Sequence, residues 1–257
     1  MEVIQYRQLT PTSYDIPIVL IPHWINKFYI FDLSEQTSFV RFFLDQGFTL
    51  FMISWKNPTV EMRQVTFDDY MLRGVLKAID VAKAVCRVKQ VHAAGYCIGG
   101  TALAALMAWL NRDLDRRRAL PVVDWTLFST LVDFAEPGDL SVLITSQTVE
   151  AIEEQMKRDG YLDKKYLSLA FRLLRSDSLI WRNFVYNYLY GGTPPKSDVL
   201  FWNSDSTRLP EAMCSFYLRE LYLNNRLVEK DGLRLGGRPI DLGGIDQPLY
   251  AGGAQQD

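Results

Sequence analysis

The chain has few of the residues on which many catalytic and binding sites depend. Of its 257 residues, two are histidine and three are cysteine, and the net charge is −2. This near balance of charge excludes a strongly basic surface for nucleic acid. Three cysteines without a CxxC pair predict neither a disulfide framework nor a zinc site. The sequence also lacks a Walker or dinucleotide-type phosphate loop, so we expect no bound metal or cofactor.

Long apolar runs are absent too. The longest uncharged one, Tyr96 to Leu110, is shorter than the roughly 18–20 residues that a membrane-spanning helix needs. It has Gly99 and Gly100 near its start. We therefore predict a buried helix of the core here rather than a membrane-spanning helix. No signal-like segment stands at the N-terminus, so we expect no transmembrane segment, a cytoplasmic location and reduced cysteines.

Short apolar segments alternate with helical patterns in the first half of the chain. We predict strands over residues 18–21, 48–53, 90–94 and 122–128, and helices over residues 34–46, 67–86 and 98–111. Ser34 is the expected N-cap of the first helix. Uniformly apolar strands that alternate with helices are typical of a parallel sheet covered on both faces, which is the α/β class.

The pattern changes after residue 138. Residues 139–225 predict mostly helices and are rich in aromatic side chains, so we interpret them as a helical cap inserted over the sheet. A strand pattern returns at residues 247–252. We therefore divide the chain into a first part of the core (1–138), the cap (139–225) and a return to the core (226–257).

One motif indicates covalent chemistry. Gly95-Tyr96-Cys97-Ile98-Gly99 lies between a predicted strand and a predicted helix, the context of the G-x-S-x-G nucleophile elbow, with cysteine in place of serine. Such a turn would expose the Cys97 thiol at the positive end of the helix, which favours the thiolate. The backbone N–H of Ile98 would face a developing oxyanion. The alternative is a buried structural cysteine, the interpretation we favour for Cys86.

The loop after the strand at 18–21 agrees with this interpretation. In folds with a nucleophile elbow, a loop at this position donates the second oxyanion N–H, here from Trp24-Ile25-Asn26. His23 in the same loop could act as a base, but it precedes the nucleophile, whereas this fold expects the histidine last. We therefore favour a packing role for His23 and a structural role for His92, which lies on a strand.

Several segments of the chain resemble the catalytic domain of bacterial polyhydroxyalkanoate synthases, most closely the class I enzymes. They are residues 25–33 (INKFYIFDL), 53–58 (ISWKNP), 95–101 (GYCIGGT), 133–135 (DFA), 187–189 (NYL), 200–210 (LFWNSDSTRLP) and 217–219 (YLR). The resemblance implies an α/β-hydrolase fold with a helical cap. It also implies that Cys97 is the nucleophile and Asp257 the catalytic aspartate.

The family's catalytic histidine lies further downstream and has no counterpart in this sequence. The resemblance therefore implies a C-terminally truncated fragment that lacks the last strand and closing helix and is inactive alone. Asp257 would orient the missing histidine or help to deprotonate the incoming hydroxyl group.

The resemblance also implies an activity and its partners. The family polymerises 3-hydroxyacyl-coenzyme A, here expected to be 3-hydroxybutyryl-coenzyme A, through a cysteine thioester, so coenzyme A is part of the substrate rather than a cofactor. The implied partners are the growing polyester chain, its cytoplasmic granule, and a second copy joined through the cap. Two alternatives stay open. One is a cysteine hydrolase of the same fold, such as a dienelactone hydrolase or a depolymerase, and the other is a non-catalytic granule-associated protein.

Overall fold

The computed structural model of the chain describes residues 1–113, 120–166, 181, 184–192 and 198–253. Its strands are β1 Glu2–Gln5, β2 Ile18–Ile21, β3 Leu50–Ser54, β4 Val91–Tyr96, β5 Val122–Phe128, β6 Tyr161–Leu162, β7 Leu209–Pro210, β8 Arg234–Leu235, β9 Arg238–Pro239 and β10 Leu249–Gly252. Six of them form one sheet in the order β1-β3-β2-β4-β5-β10. Each neighbouring pair in this sheet is parallel except β1 with β3. The mostly parallel sheet of the α/β class is therefore confirmed.

The helices connect these strands. The α-helices are α1 Phe39–Asp45, α2 Lys77–Cys86, α3 Ile98–Asn111, α4 Ser146–Asp159, α5 Asp198–Ser204 and α6 Glu211–Phe216. Within the described residues, π-helical segments lie at Asp69–Leu76 before α2, at Val185–Leu189, and at Tyr217–Leu223 after α6. Short 3-10 helices lie at Phe28–Phe31, Glu35–Thr37, Val60–Met62, Gly138–Val142 and Leu242–Gly244.

Helices cover both faces of the sheet. Val19 and Ile21 of β2 belong to the larger core with α2 and α3, whereas Ile18 and Leu20 belong to a second core with α1. Side chains alternate between the two faces of a strand, so a strand buried on both faces must be apolar at every position. This is why β2 is an uninterrupted apolar segment.

The apolar run that begins at Tyr96 forms α3 in the centre of the larger core. Every residue of α3 is buried, as expected for a helix that is apolar around its whole circumference. The predicted core helix at 98–111 is confirmed. In the part of the chain that the structure describes, none of the helices has the length and apolar character to cross a bilayer.

The prediction for the first helix is wrong at its start. Residues 35–37 form a separate 3-10 turn, and Ser34 makes no side-chain capping bond. Ser38 caps α1 instead, since it directly precedes this helix and its hydroxyl accepts the Arg41 N–H at 2.8 Å. The antiparallel edge strand β1 was not predicted from the sequence.

Candidate active site

Cys97 lies at the sharp turn between β4 and α3. Its backbone has φ 53° and ψ −131°, a combination that non-glycine residues rarely adopt and that stores strain. The Cys97 N–H donates to the Phe128 carbonyl at 3.0 Å, which ties the turn to the end of β5. The residue is half-buried. The structure therefore places Cys97 in the strained strand–turn–helix setting that the motif predicts for a nucleophile.

The glycines of the motif are required by close backbone contacts. A Cβ added to Gly95 would lie 2.5 Å from the Cα of Gly100, where β4 meets α3. A Cβ added to Gly99 would lie 2.5 Å from the Ile21 carbonyl oxygen and 2.6 Å from that of Pro22. Contacts this short are repulsive, so a side chain at either position would force the helix away from β4 or β2.

The two groups predicted to form an oxyanion hole belong to elements that meet at this turn. Ile98 is the first residue of α3, so its N–H lies outside the i→i−4 bonds of the helix. The positive end of this helix favours negative charge on Cys97 and beside it. Gly99 contacts the carbonyls of Ile21 and Pro22, so the loop that follows β2 starts against the turn. The predicted second donor segment, Trp24-Ile25-Asn26, lies in that loop.

His23 is a packed side chain in the same loop. It is 4% exposed, and its ring lies 5.3 Å from the Tyr96 ring and 5.5 Å from the Trp202 ring. Its Nδ1 atom is buried without a hydrogen-bond partner in the described structure. Burial lowers the pKa of His23 to about 4, so the ring is neutral at pH 7. These contacts favour the packing role over the role of a catalytic base.

The burial of His23 predicts a loss of stability in acid. Its folded-state pKa is about 4 against 6.5 for the free side chain, so its contribution to stability is fully present above pH 6.5 and is lost as the pH falls towards 4. The loss is roughly 2–3 kcal/mol. We expect the free energy of unfolding, measured with urea, to fall between pH 7 and pH 4.5 in both proteins. The fall should be about 2 kcal/mol smaller in His23→Gln than in the wild type. Equal acid losses in both proteins would contradict this prediction.

The second histidine lies far from Cys97. His92 Nδ1 is 2.9 Å from both carboxylate oxygens of Asp124 on the neighbouring strand. His92 is the second residue of β4, whereas Cys97 follows its last residue. Five residues of extended chain span about 16 Å, so this pair lies at the other end of the strand and has a structural role.

The other two cysteines differ from Cys97 in their surroundings. Cys86 ends α2, and burial raises the pKa of its thiol. Cys214 is buried within α6, and burial together with the nearby Glu153 carboxylate raises the pKa of its thiol to about 12. A raised pKa keeps the thiol protonated and unreactive at neutral pH. Both residues are therefore structural.

A pair of tyrosine hydroxyls that the sequence pattern did not predict lies near Cys97. The Tyr217 hydroxyl donates to that of Tyr222 at 3.4 Å, and the Phe134 ring packs edge-on against both rings. Burial raises the pKa of both hydroxyls, and a negative charge on the nearby Cys97 sulfur would raise it further. Tyr217 and Tyr222 are five residues apart in a π-helix. An α-helical period does not bring such positions to one face, so the pattern gave no signal.

The carboxyl ends of three strands lie level at this edge of the sheet. Tyr96 of β4 is aligned with Phe128 of β5, which is aligned with Gly252 of β10. The chain therefore leaves β10 at the edge where Cys97 lies, which is where parallel α/β sheets place their sites. Asp257 follows shortly after but lies outside the described residues, so its assignment stays a prediction.

The sequence has close relatives among the polyester polymerases. A family model described as the poly-beta-hydroxybutyrate polymerase (PhaC) N-terminus matches residues 1–43. The poly(3-hydroxyalkanoate) polymerase subunit PhaC of Rhizobium meliloti is 41% identical over 256 residues. The corresponding subunit of Cupriavidus necator is 36% identical over 261 residues, and both alignments cover 100% of the chain. The chain is a relative of the poly(3-hydroxyalkanoate) polymerases.

The relatives are much longer than this segment. The chain spans 41% of the Rhizobium meliloti polymerase subunit and 44% of the Cupriavidus necator one. Most of the length of these polymerases therefore has no counterpart in the sequence described here.

Solved structures of low sequence identity show the fold of this chain. A candidate lipase from Sulfolobus solfataricus has a TM-score of 0.54 at 12% identity, covering 99% of this chain and 86% of that protein. A variant of AqdC, which cleaves the ring of the Pseudomonas quinolone signal, has a TM-score of 0.51 at 13% identity, covering 99% and 77%. Together with the sheet order and the turn at Cys97, these likenesses confirm the α/β-hydrolase fold expected from the sequence.

Proposed function

We propose that this chain carries the nucleophile of a poly(3-hydroxyalkanoate) polymerase. The observation that supports this most is the position of Cys97, at a strained turn before the buried helix α3, in a chain related over its whole length to such polymerases. Cysteine hydrolases of the same fold would share the turn but not this sequence relationship.

The proposed chemistry suits a thiol. The Cys97 sulfur attacks the thioester carbon of 3-hydroxyacyl-coenzyme A, the bond from that carbon to the coenzyme A sulfur breaks, and coenzyme A leaves as a thiol with the proton from Cys97. The acyl group is still a thioester and stays activated. The hydroxyl oxygen of a second acyl unit then attacks the carbonyl carbon of this thioester, the bond from that carbon to the Cys97 sulfur breaks, and the hydroxyl proton passes to the sulfur, which leaves an ester bond and a free Cys97 thiol.

The described groups suit particular steps of this reaction. The Ile98 N–H and the segment Trp24-Ile25-Asn26 would stabilise the negative oxygen formed by each attack. Asp257 would orient the base or activate the hydroxyl. Since His23 is buried and His92 lies at the far end of β4, the base would be a histidine from outside this sequence.

Exposed aromatic side chains support the proposed polymer and assembly partners. The described part of residues 181–201 leaves a group of large rings exposed to solvent, namely Trp181, Phe184, Tyr186, Tyr188, Tyr190 and Phe201. Exposed apolar clusters of this kind mark surfaces that meet other apolar matter. We therefore propose that the cap region contacts the growing polyester at a cytoplasmic granule and pairs with a second copy there.

Product analysis with the full-length protein tests the proposed function. Incubation with 3-hydroxybutyryl-coenzyme A should release coenzyme A and yield polyester that is soluble in chloroform. Release of coenzyme A with free 3-hydroxybutyrate as the main product would instead support the hydrolase. Absence of release would support the non-catalytic granule protein.

A further inference from the structure

The loop that follows β2 is held by a residue far along the chain. The Thr207 N–H donates to the Ile25 carbonyl at 2.8 Å, and the Thr207 hydroxyl lies 3.0 Å from the same oxygen. This hydroxyl also contacts the Trp24 carbonyl oxygen. Thr207 is 2% exposed, so bulk water has little access to these bonds.

These contacts set the direction of two backbone N–H groups. A trans peptide unit is planar, and its C=O and N–H point in opposite directions. The Trp24 carbonyl shares a unit with the Ile25 N–H, and the Ile25 carbonyl shares one with the Asn26 N–H. By holding both carbonyls, Thr207 directs both N–H groups away from itself.

Neighbours of Thr207 hold the rest of this loop. Ser206 forms an antiparallel bridge with Asn26, and the Asn26 side-chain amide donates to the Asn203 carbonyl at 3.4 Å. The Trp202 indole N–H donates to the Lys27 carbonyl at 2.7 Å. The loop is thus bonded along its length to α5 and the residues after it.

We propose that Thr207 is a positioning residue for the oxyanion hole, whose hydroxyl holds the peptide units on either side of Ile25 so that an N–H faces the substrate thioester oxygen. The inference rests on the proposed function, because it requires a tetrahedral intermediate on Cys97. Oxyanion donors act in the transition state, where a misplacement of about 1 Å costs of the order of 10²-fold in rate.

Two substitutions in the full-length protein test this role. Thr207→Val keeps the shape of the side chain and removes the hydroxyl, so it should lower kcat for coenzyme A release by roughly 10- to 100-fold. The KM should change by less than about 3-fold, because the bound substrate does not depend on the oxyanion contact. Thr207→Ser keeps the hydroxyl and should retain kcat within about 3-fold of the wild type.

Alkylation of Cys97 by iodoacetamide separates positioning from a general disturbance of the turn. Displacement of iodide by the thiolate forms no oxyanion, so the rate should be the same in Thr207→Val and the wild type. A parallel fall of kcat and alkylation rate would overturn the proposal. So would a kcat within 2-fold of the wild type, or a Thr207→Ser variant as impaired as Thr207→Val.

Trp202→Phe provides a second test if Thr207→Val does not fold. It removes the indole bond to the Lys27 carbonyl, at the other end of the same loop, and keeps an aromatic ring next to His23. A lower kcat with an unchanged alkylation rate supports the proposal, and an unchanged kcat overturns it. Failure of the proposed function looks different, because the wild type would then release no coenzyme A or Cys97→Ala would release it normally.

Discussion

Cys97→Ala in the full-length protein is expected to abolish coenzyme A release from 3-hydroxybutyryl-coenzyme A. The substitution removes the sulfur that would attack the thioester, and the two remaining cysteines have raised thiol pKa values in packed helices. Loss of a nucleophile costs an enzyme about 10⁴-fold or more in kcat. Free coenzyme A, measured with a thiol reagent, should stay at the level of a reaction without enzyme.

Two further variants show whether this loss is specific to the Cys97 thiol. Cys86→Ala removes a structural thiol and should retain activity, which controls for the loss of any cysteine. Cys97→Ser keeps a nucleophile of similar size, but its oxygen ester is a poorer acyl donor than a thioester, so polymer should not accumulate. Normal coenzyme A release by Cys97→Ala would refute the assignment of the nucleophile.

Gly99→Ala is expected to have the largest effect on stability. The new methyl group would lie 2.5 Å from the Ile21 carbonyl oxygen and 2.6 Å from the Pro22 carbonyl oxygen. These are backbone atoms, which cannot rotate away as a side chain can. We expect a loss of about 3 kcal/mol in the free energy of unfolding. The corresponding fall in the melting temperature is roughly 6–12 °C. Activity should fall as well, because the loop that we propose as part of the oxyanion hole follows the displaced end of β2.

Gly244→Ala is the matched control for this substitution. Gly244 lies in the 3-10 helix Leu242–Gly244, and an added Cβ there has only ordinary contacts with Asp241, the nearest at 3.9 Å. Its melting temperature and activity should equal those of the wild type. If Gly99→Ala has the same melting temperature as Gly244→Ala, the prediction that α3 packs too closely on β2 to admit a side chain at residue 99 is wrong.

Much of the fold could be predicted because its signals are local. The strand at 18–21 and the helix at 98–111 have the predicted bounds, since burial on both faces, or all around a helix, leaves an unbroken apolar segment. Boundaries set by polar contacts were less accurate. Ser34 and Ser38 are both plausible caps by residue type and both have an extended backbone, and only the capping bond that the Ser38 hydroxyl accepts distinguishes them.

The candidate site was likewise predicted from the sequence only in part. The position of Cys97 followed from a few consecutive residues, since a tight turn between strand and helix needs glycine on both sides of it. The tyrosine pair did not, because its recognition required the π-helix at Tyr217–Leu223 and its approach to the elbow. The contact of Thr207 with the loop after β2 was also out of reach, as the residues are 182 or 183 positions apart.

Short-range sterics and apolar periodicity were thus sufficient for the class of fold, the central helix and the turn that holds Cys97. The packed state was needed to show that the Nδ1 atom of His23 is buried without a partner among the described residues. It was also needed to show that two tyrosine hydroxyls lie near Cys97 and that Thr207 contacts the loop after β2. The reason is physical. A local conformation depends on neighbouring residues, whereas these contacts form only when distant segments are brought together by burial of the shared core.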